Sequence, residues 1–377
     1  EAHYAAAWPA AHLEGIALTR YGHARPTRLV EVIEAGHPVP DAAGVIGCRR
    51  ILDLARTLGP DDLAVVLISG GGSALATLPI DGVSLEDKRA LTRTLLSSGA
   101  SIADINCVRK HLSRFKGGRL AAALHPAPSL TLAISDVAGD DPSIIASGPT
   151  VPDPTTREDA LGTLDRFHID APAHLRSALA TAPESPKPGA SIFANARYEL
   201  IASGAGALEA AAGRARSQGY EVLDLGDRIE GEARTVAAEH ARMALDAKRA
   251  GKRLAILSGG ELGVTFTKGA PAGQGGPNQE YALALALCLN GAKGIAAIAG
   301  DTDGIDGGSG KADDPAGALI FPDTLVRARA HGADAAASLD RHDATGFFEP
   351  LGDLLRTGPS YTNINDFRAI LIEGDDT

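Results

Sequence analysis

The stretch LAVVLISGGGSAL, Leu63 to Leu75, decides the fold. Its first half is aliphatic and β-branched, with no polar residue to mark a solvent-facing side, so it reads as a buried strand. It then breaks into Ser69-Gly70-Gly71-Gly72-Ser73 and opens a helix at Ala74. A second run, KRLAILSGGELGV at Lys252–Val264, makes the same transition, ending at Ser258-Gly259-Gly260-Glu261. Consecutive glycines permit positive φ and a close approach to a ligand, and amide groups at such a turn suit an anion. Two strands ending in one turn chemistry predict two α/β domains directed at an anionic ligand.

The rest of the chain fits that frame. Strands are predicted at Gly15–Arg20, Val30–Ala35, Leu63–Ser69 and Leu130–Ser135, with helical periodicity over Asp41–Leu58, Ser84–Ser97 and Asp104–Leu124. Asp41 and Ser84 are suited to N-cap positions. Later strands are predicted at Tyr198–Ser203, Tyr220–Gly226, Arg253–Gly259, Gly294–Gly300 and Phe367–Gly374, with helices at Ala207–Gln218 and Glu232–Ala250. Alternation of this kind implies βαβ units around a parallel sheet. The segment ATAPESPKPGAS at Ala180–Ser191 holds three prolines and marks the predicted linker. It divides the chain into a Rossmann-like domain at 1–185, with a mostly parallel sheet, and a smaller α/β domain at 189–377.

Composition narrows the function. The 377 residues are 44% hydrophobic, 22% charged and 4% aromatic, which sets a core of Ala, Leu, Ile and Val in an ordinary globular protein. Thirty-six Lys and Arg against 47 Asp and Glu leave a net charge of −11, which argues against nucleic acid as a partner. No run approaches the length of a membrane span. Cys48, Cys107 and Cys288 are scattered without a C-x-x-C pair and read as reduced thiols of a cytoplasmic protein. Monomer and homodimer both stay open.

Charged groups gather near the glycine turns. NCVRKHLSRFKGGRLA at Asn106–Ala121 concentrates Arg109, Lys110, His111, Arg114, Lys116 and Arg119, and Gly117-Gly118 breaks its helix directly after Lys116. A solvated cationic face competes with a ligand role for Lys116 or Arg119. ISDVAGDDPSIIASGPT places Asp136 at a strand's C-terminal end, where open α/β sheets bind ligands, followed by Ser147 and Gly148. AGDTDGIDGG places Asp301, Asp303 and Asp306 likewise. Carboxylates in such positions suit Mg²⁺ held jointly with nucleotide phosphates, and Asx-turn chemistry is the competing explanation. GAPAGQGGPNQE ends in Asn278, Gln279 and Glu280, polar groups at a helix start.

Familiar phosphate motifs fail. GGSGKA at Gly307–Ala312 approaches a Walker A loop, but Ile305 stands where the first glycine belongs and Ala312 replaces the Ser or Thr. GAGALE at Gly204–Glu209 approaches a dinucleotide fingerprint, with Glu209 in place of its third glycine and Asp224 at the ribose-acid position. There is no H-E-x-x-H and no G-x-S-x-G.

Taken in order, TRYGH, EAGHPVPD, ISGGGSAL, VRKHLSRFKGGRLA, SDVAGDDPSIIASGPTVPDPTT, SGGELGVTF, GGPNQEYALALAL, GDTDGIDG and TGPSYTNINDFR resemble the glycerate 2-kinases, whose C-terminal portion is often called the MOFRL domain. The resemblance runs from Thr19 almost to the end. It implies two α/β domains with the active site between them, and transfer of the ATP γ-phosphoryl group to the 2-hydroxyl of D-glycerate. For such a reaction Lys116, Asp136 and Asp303 are the candidate catalytic groups of this chain: Lys116 would offset charge, and Asp136 or Asp303 would hold Mg²⁺ or orient the attacking hydroxyl. Gly70, Gly71, Gly72, Ser73, Arg109, Arg119, Ser147, Gly148, Gly259, Gly260, Glu261, Asn278, Gln279 and Glu280 would hold substrate or nucleotide. The chain departs from the family twice. It starts after the first βα segment, with its G-x-G-K-A motif, and Pro277 stands where many members have Arg. That leaves Arg109, Lys116, Arg119, Lys268 and Lys311 to offset the migrating charge. Two rival readings are a hydroxypyruvate reductase using NAD(P)H at Gly204, Gly206 and Asp224, and a truncated chain that binds ligand without turnover.

Overall fold

The computed structural model describes residues 1–9, 11–137, 139–266, 273–308, 311 and 313–374. Lys268, most of GAPAG and part of GGSGKA lie outside the described residues. The chain divides into two compact units, Glu1–Ala133 with Asp140–Ile201, and Ile134–Gly139 with Ala202–Thr377.

In the first unit, β1 (Gly15–Arg20) pairs in parallel with β2 (Val30–Ala35), Gly15 opposite Val30 and Arg20 opposite Ala35. Helix α1 (Ala42–Ala55) starts at Asp41, whose carboxylate accepts the Gly44 N–H at 3.0 Å. Strand β3 (Ala64–Ile68) pairs in parallel with β4 (Ser129–Ile134), and β5 (Ala196–Ala202) completes that three-stranded sheet. Between β3 and β4 come α2 (Gly72–Leu75), α3 (Leu85–Ser97), α4 (Ile102–His111) and α5 (Arg119–Leu124). Ser84 and Asp87 close a capping box on α3, an arrangement that satisfies two orphan amides at once.

The predicted single helix over Asp104–Leu124 is two helices. Helix α4 stops at His111, and Gly117 and Gly118 then take φ of +58° and +77°, a left-handed pair no helix accommodates. The Ser113 hydroxyl accepts the Phe115 and Lys116 amides and fixes that break. Leu52, Leu78, Phe115, Leu120 and Leu124 form one core, while Leu91, Leu95, Val108, Leu164 and Leu179 form a second among helices. Each such side chain contributes roughly 1.5–3 kcal/mol by burial. The proline-rich segment lies inside this unit, where Glu184 accepts from Arg157 and Ser185 donates to Asp153.

The second unit is built on a six-stranded sheet. Its elements are α6 (Gly204–Ser217), β6 (Glu221–Asp224), α7 (Ala233–Arg249), β7 (Leu254–Gly260), α8 (Pro277–Leu289), β8 (Ile295–Asp301), β9 (Gly317–Ile320), β10 (Leu354–Leu355) and β11 (Asp366–Ile372). The strand order is β10-β9-β8-β11-β7-β6. Within this sheet, among the described residues, only β6 and β7 pair in parallel; β11 runs antiparallel to both β7 and β8, and β9 is antiparallel to β8 and β10. The alternation predicts a parallel sheet, and here the sheet is mixed. Strands β7 and β8 do point the same way, joined through α8, as a crossover unit requires. The chain's last strand then inserts between them. Helix α8 carries Tyr281–Ala286 and Leu289 fully inside the core, in keeping with its apolar residues on every side.

Candidate functional site

The two glycine turns have different physics. After β3 the chain passes Gly70 and reaches Gly71, which is left-handed at φ +79°. A Cβ on Gly71 would stand 2.9 Å from His37 Nε2, and one on Gly72 would stand 2.8 Å from the Ala146 Cβ. The next residue, Ser73, is the hub. Its carbonyl oxygen accepts from Lys116 Nζ at 2.6 Å and from Arg109 Nη2 at 3.2 Å. Its hydroxyl lies 2.8 Å from the Ser147 hydroxyl, which in turn accepts from Lys116 Nζ at 3.3 Å.

Ser147 is presented by a strained loop. Ala146 and Ser147 take φ of +49° and +62°, ahead of Gly148 at +59°. Non-glycine residues in that region persist only when their surroundings force them. Here Gly117 N–H donates to the Ser147 carbonyl at 3.1 Å and Gly118 N–H to the Gly148 carbonyl at 2.8 Å. The Lys116–Gly118 break and the Ala146–Gly148 loop therefore hold each other.

Sequence reasoning missed Lys88. It sits on α3 with 5% exposure, and its amine is buried with no hydrogen-bond partner among the described residues. Burial, with the like charges of Arg109 and Arg119, pushes its pKa down to about 7. Lys116 is wholly buried, and burial, Arg109 and Lys88 hold its amine well below the ordinary lysine range. Among the described residues, none of Lys88, Arg109 and Lys116 has a carboxylate partner. Buried positive charge without a counter-ion is costly. An anion would relieve it.

Arg119 belongs elsewhere. Its guanidinium clips the carbonyls of Lys110, Lys116 and Pro183 at 3.2, 3.4 and 2.9 Å, a structural use that displaces the expected ligand role. Lys110 is paired with Asp153 at 2.7 Å.

The second turn is corrected more thoroughly. Gly259 and Gly260 are still strand, and no helix follows them. A Cβ on Gly260, at φ +101°, would lie 2.3 Å from the Ile229 carbonyl, and the Gly259 N–H donates to Gly226 O at 2.9 Å. These glycines let one backbone cross another, so the expected amide cradle over Gly259–Glu261 does not form. Arg368, 1% exposed, backs the turn: it donates to Gly259 O at 2.7 Å and to Asp366 at 2.9 Å.

Asn278, Gln279 and Glu280 are likewise committed. Asp306 accepts the Asn278 and Gln279 amides at 3.0 and 2.8 Å and caps α8 from a distant loop. A Cβ on Gly276 would fall 1.9 Å from the Asp306 carbonyl, so that glycine is obligatory, and Pro277 occupies the first helical turn, where its missing N–H costs nothing. The Gln279 side chain bonds Asp306 and Thr345, that of Asn278 bonds Asp306 and Asp366, and Glu280 pairs with Arg234 at 2.6 Å and His342 at 3.0 Å. They build the helix start, and the Asn278 Oδ1 alone among their side-chain oxygens is buried without a hydrogen-bond partner among the described residues.

Around them lies a field of carboxylates within this unit. Burial raises Asp301 to about 8, helped by the charges of Asp303, Asp366 and Asp306. Burial also raises Asp306 to about 6, and lifts Asp136, Asp366 and Glu261, the last with help from Asp366, Asp136 and Glu230. Asp136 is steadied by Asn363 on its carboxylate at 3.4 Å and Asn365 on its carbonyl at 2.7 Å. Asp303 turns its own loop, accepting the Ile305 amide at 2.8 Å. Among the described residues no three His, Cys, Asp or Glu side chains gather closely enough to hold a metal alone.

The rival dinucleotide fingerprint is occupied. Ser203 caps α6 by accepting the Gly206 amide at 3.3 Å, a Cβ on Gly204 would lie 3.0 Å from Asp227, and Asp224 accepts the Gly226 amide at 2.8 Å. Among the described residues no helix is long and apolar enough to cross a membrane.

This is a two-unit α/β protein whose first unit carries buried cations at a glycine turn and whose second carries desolvated carboxylates. Residues 1–180 match a domain of unknown function, DUF4147, and residues 254–366 match the MOFRL family. A D-glycerate 2-kinase of Thermotoga maritima is 38% identical over 94% of this chain and 83% of its own length. A putative hydroxypyruvate reductase of Agrobacterium vitis is 51% identical over 97% of this chain and 83% of its own. The crystal structure of a glycerate kinase from Thermotoga maritima superposes with a TM-score of 0.85 at 38% identity, covering 95% of this chain and 85% of that one. The chain belongs to the glycerate 2-kinase family, the MOFRL-containing glycerate kinases.

Proposed function

We propose that this protein transfers the γ-phosphoryl group of ATP to the 2-hydroxyl of D-glycerate, giving 2-phosphoglycerate, in the cytoplasm. The observation that carries the reading is the set of buried basic side chains at the Ser73 turn that have no carboxylate partner among the described residues. Phosphoryl transfer is catalysed mainly by positioning and by positive charge on the migrating oxygens. Arg109 offers a permanent charge for a carboxylate or phosphate, and Lys88 and Lys116 add donors that an anion would draw toward the charged form. Gly70–Gly72 let the ligand approach the backbone.

Mg²⁺ entering with ATP needs only one or two protein carboxylates, which accords with the dispersed acids of the second unit. Asp136 and Asp303 would hold it, and the ion would screen the phosphate oxygens. Burial and neighbouring carboxylates raise Asp301 and Glu261, and a bound cation would draw such groups back toward the charged form. An NAD(P)H-dependent reduction would have to act at Gly204, Gly206 and Asp224, whose groups are used for capping and turn formation.

The test is ADP release with Mg-ATP, with and without D-glycerate, and product identification by NMR. The proposal expects glycerate-dependent ADP and 2-phosphoglycerate; NADH oxidation with hydroxypyruvate and no ADP would replace it by the reductase. Unchanged turnover in Lys116→Met, Asp136→Asn and Asp303→Asn would sink the assigned roles.

A further inference from the structure

We propose that Ser73 is a covalent nucleophile, activated through Ser147 by Lys116, and that the protein acylates this serine with small esters and hydrolyses them. This goes beyond the phosphoryl-transfer reading, and its readout needs neither ATP nor glycerate.

The argument starts from three side chains brought from three loops. Ser73 Oγ, Ser147 Oγ and Lys116 Nζ form a chain with links of 2.8 and 3.3 Å. Ser147 is completely buried and Ser73 is partly exposed, so the relay has one end open to a reactant and one end sealed. The Ser73 carbonyl holds Lys116 Nζ at 2.6 Å beside the Ser147 hydroxyl, so that the amine, once neutral, stands within reach of the Ser147 proton. The chain maintains this at the expense of the left-handed Ala146 and Ser147, and such strain gathers where a group must be aimed.

A serine is a weak nucleophile until a base stands within hydrogen-bond reach, directly or through a relay. The groups facing Lys116 decide whether its amine is that base. Arg109 and Lys88 disfavour its charge, Cys48 acts weakly the other way, and His37 lies on the far side of the turn against Gly71. The neutral amine is therefore accessible far below the ordinary lysine pKa.

The chemistry balances without a further reactant besides water. Ser73 Oγ bonds to the ester carbonyl carbon as its proton passes to Ser147 Oγ and the Ser147 proton passes to Lys116 Nζ. Collapse breaks the bond to the alcohol oxygen, and the proton returns along the relay to that leaving oxygen. Water then attacks the acyl-serine, gives its proton to the same relay, and releases the carboxylic acid with Ser73 restored. Arg109, 3.2 Å from the Ser73 carbonyl and without a carboxylate partner, favours esters that carry an anionic group.

The experiment uses the whole chain with p-nitrophenyl acetate and with a fluorophosphonate, followed by intact mass and peptide mapping. The expected result is one adduct, on Ser73, absent in Ser73→Ala. Ser147→Gly suits the left-handed backbone while removing the hydroxyl, and Lys116→Met removes the base. Each should slow labelling at least ~100-fold, the low side of general-base contributions, with the thermal transition kept. The wild-type labelling rate should rise with pH well below pH 10, and Lys116→Met should flatten that rise. A folded protein without a Ser73 adduct would overturn the proposal, as would labelling that Ser147→Gly and Lys116→Met leave at the wild-type rate.

Discussion

The turn at Ser69–Ser73 and the turn at Ser258–Glu261 share the letters Ser-Gly-Gly and almost nothing else. In the first, the tightest contacts to the glycines are side chains, and the basic groups beneath have no carboxylate partner among the described residues. In the second, the contacts are backbone atoms of Asp227 and Ile229, and the buried Arg368 is neutralised by Asp366. A glycine run marks a close approach of something to the backbone. Whether that something is a ligand or another strand is decided by the polar groups around it and by whether they are satisfied.

That contrast can be broken at several points. The largest effect is expected at Gly260→Ala, where the new Cβ would meet a carbonyl at 2.3 Å in a left-handed backbone. A loss of about 4 kcal/mol or more is expected, of the size reserved for clashes that cannot relax. Gly71→Ala meets the tip of His37 at 2.9 Å instead; the ring can turn away, and the loss in a denaturant melt should stay near ~1–2 kcal/mol. Comparable losses at the two positions would erase the distinction.

Next comes Arg368→Met, which strands Asp366 in the core and should cost about 3–5 kcal/mol by urea unfolding. Lys88→Met should do the reverse. Removing an unpartnered buried amine is expected to stabilise by ~1–3 kcal/mol while lowering glycerate-dependent turnover. Destabilisation by Lys88→Met would mean that the amine is satisfied.

The effects of pH on the two regions oppose in sign. Burial pushes Lys88 from the ordinary lysine value of 10.5 down to about 7, so the unfolded chain binds more protons between those values and stability rises with pH across that window. Asp301 is raised from 3.8 to about 8, so the folded chain binds more protons there and its contribution is lost as pH rises from about 4 to 8. Thermal unfolding followed from pH 5 to 10 should show one transition gaining and another losing. In Lys88→Met the gain above pH 7 should vanish.

Much of the fold was legible locally. Gly15–Arg20 and Val30–Ala35 are strands over the predicted residues, and Asp41 and Ser84 cap as expected, because alternation and capping are written within a few residues of where they act. The position of β11 was not, since its partners lie more than sixty residues earlier and no short-range pattern specifies pairing. The site divides the same way. Arg109, Lys116, Ser73 and Ser147 stood in conspicuous glycine-rich words and converge. Lys88 sits in SLEDKRA, which reads as an exposed charged helix face, and only tertiary packing reveals it as buried. The partners of Asn278, Gln279 and Glu280 were hidden for the converse reason: the acid that claims two of them, Asp306, arrives from a distant loop.

The central claim is that the first turn, and not the second, carries the ligand's charge. Its most direct test is D-glycerate-dependent ADP release, with 2-phosphoglycerate identified by NMR, in the wild type and in Arg109→Met side by side. The account predicts product from the wild type and a drop of roughly 100-fold or more in Arg109→Met, with its thermal transition within a few degrees of wild type. Arg109→Met turning over at the wild-type rate, or a folded wild type that makes no 2-phosphoglycerate, would contradict it.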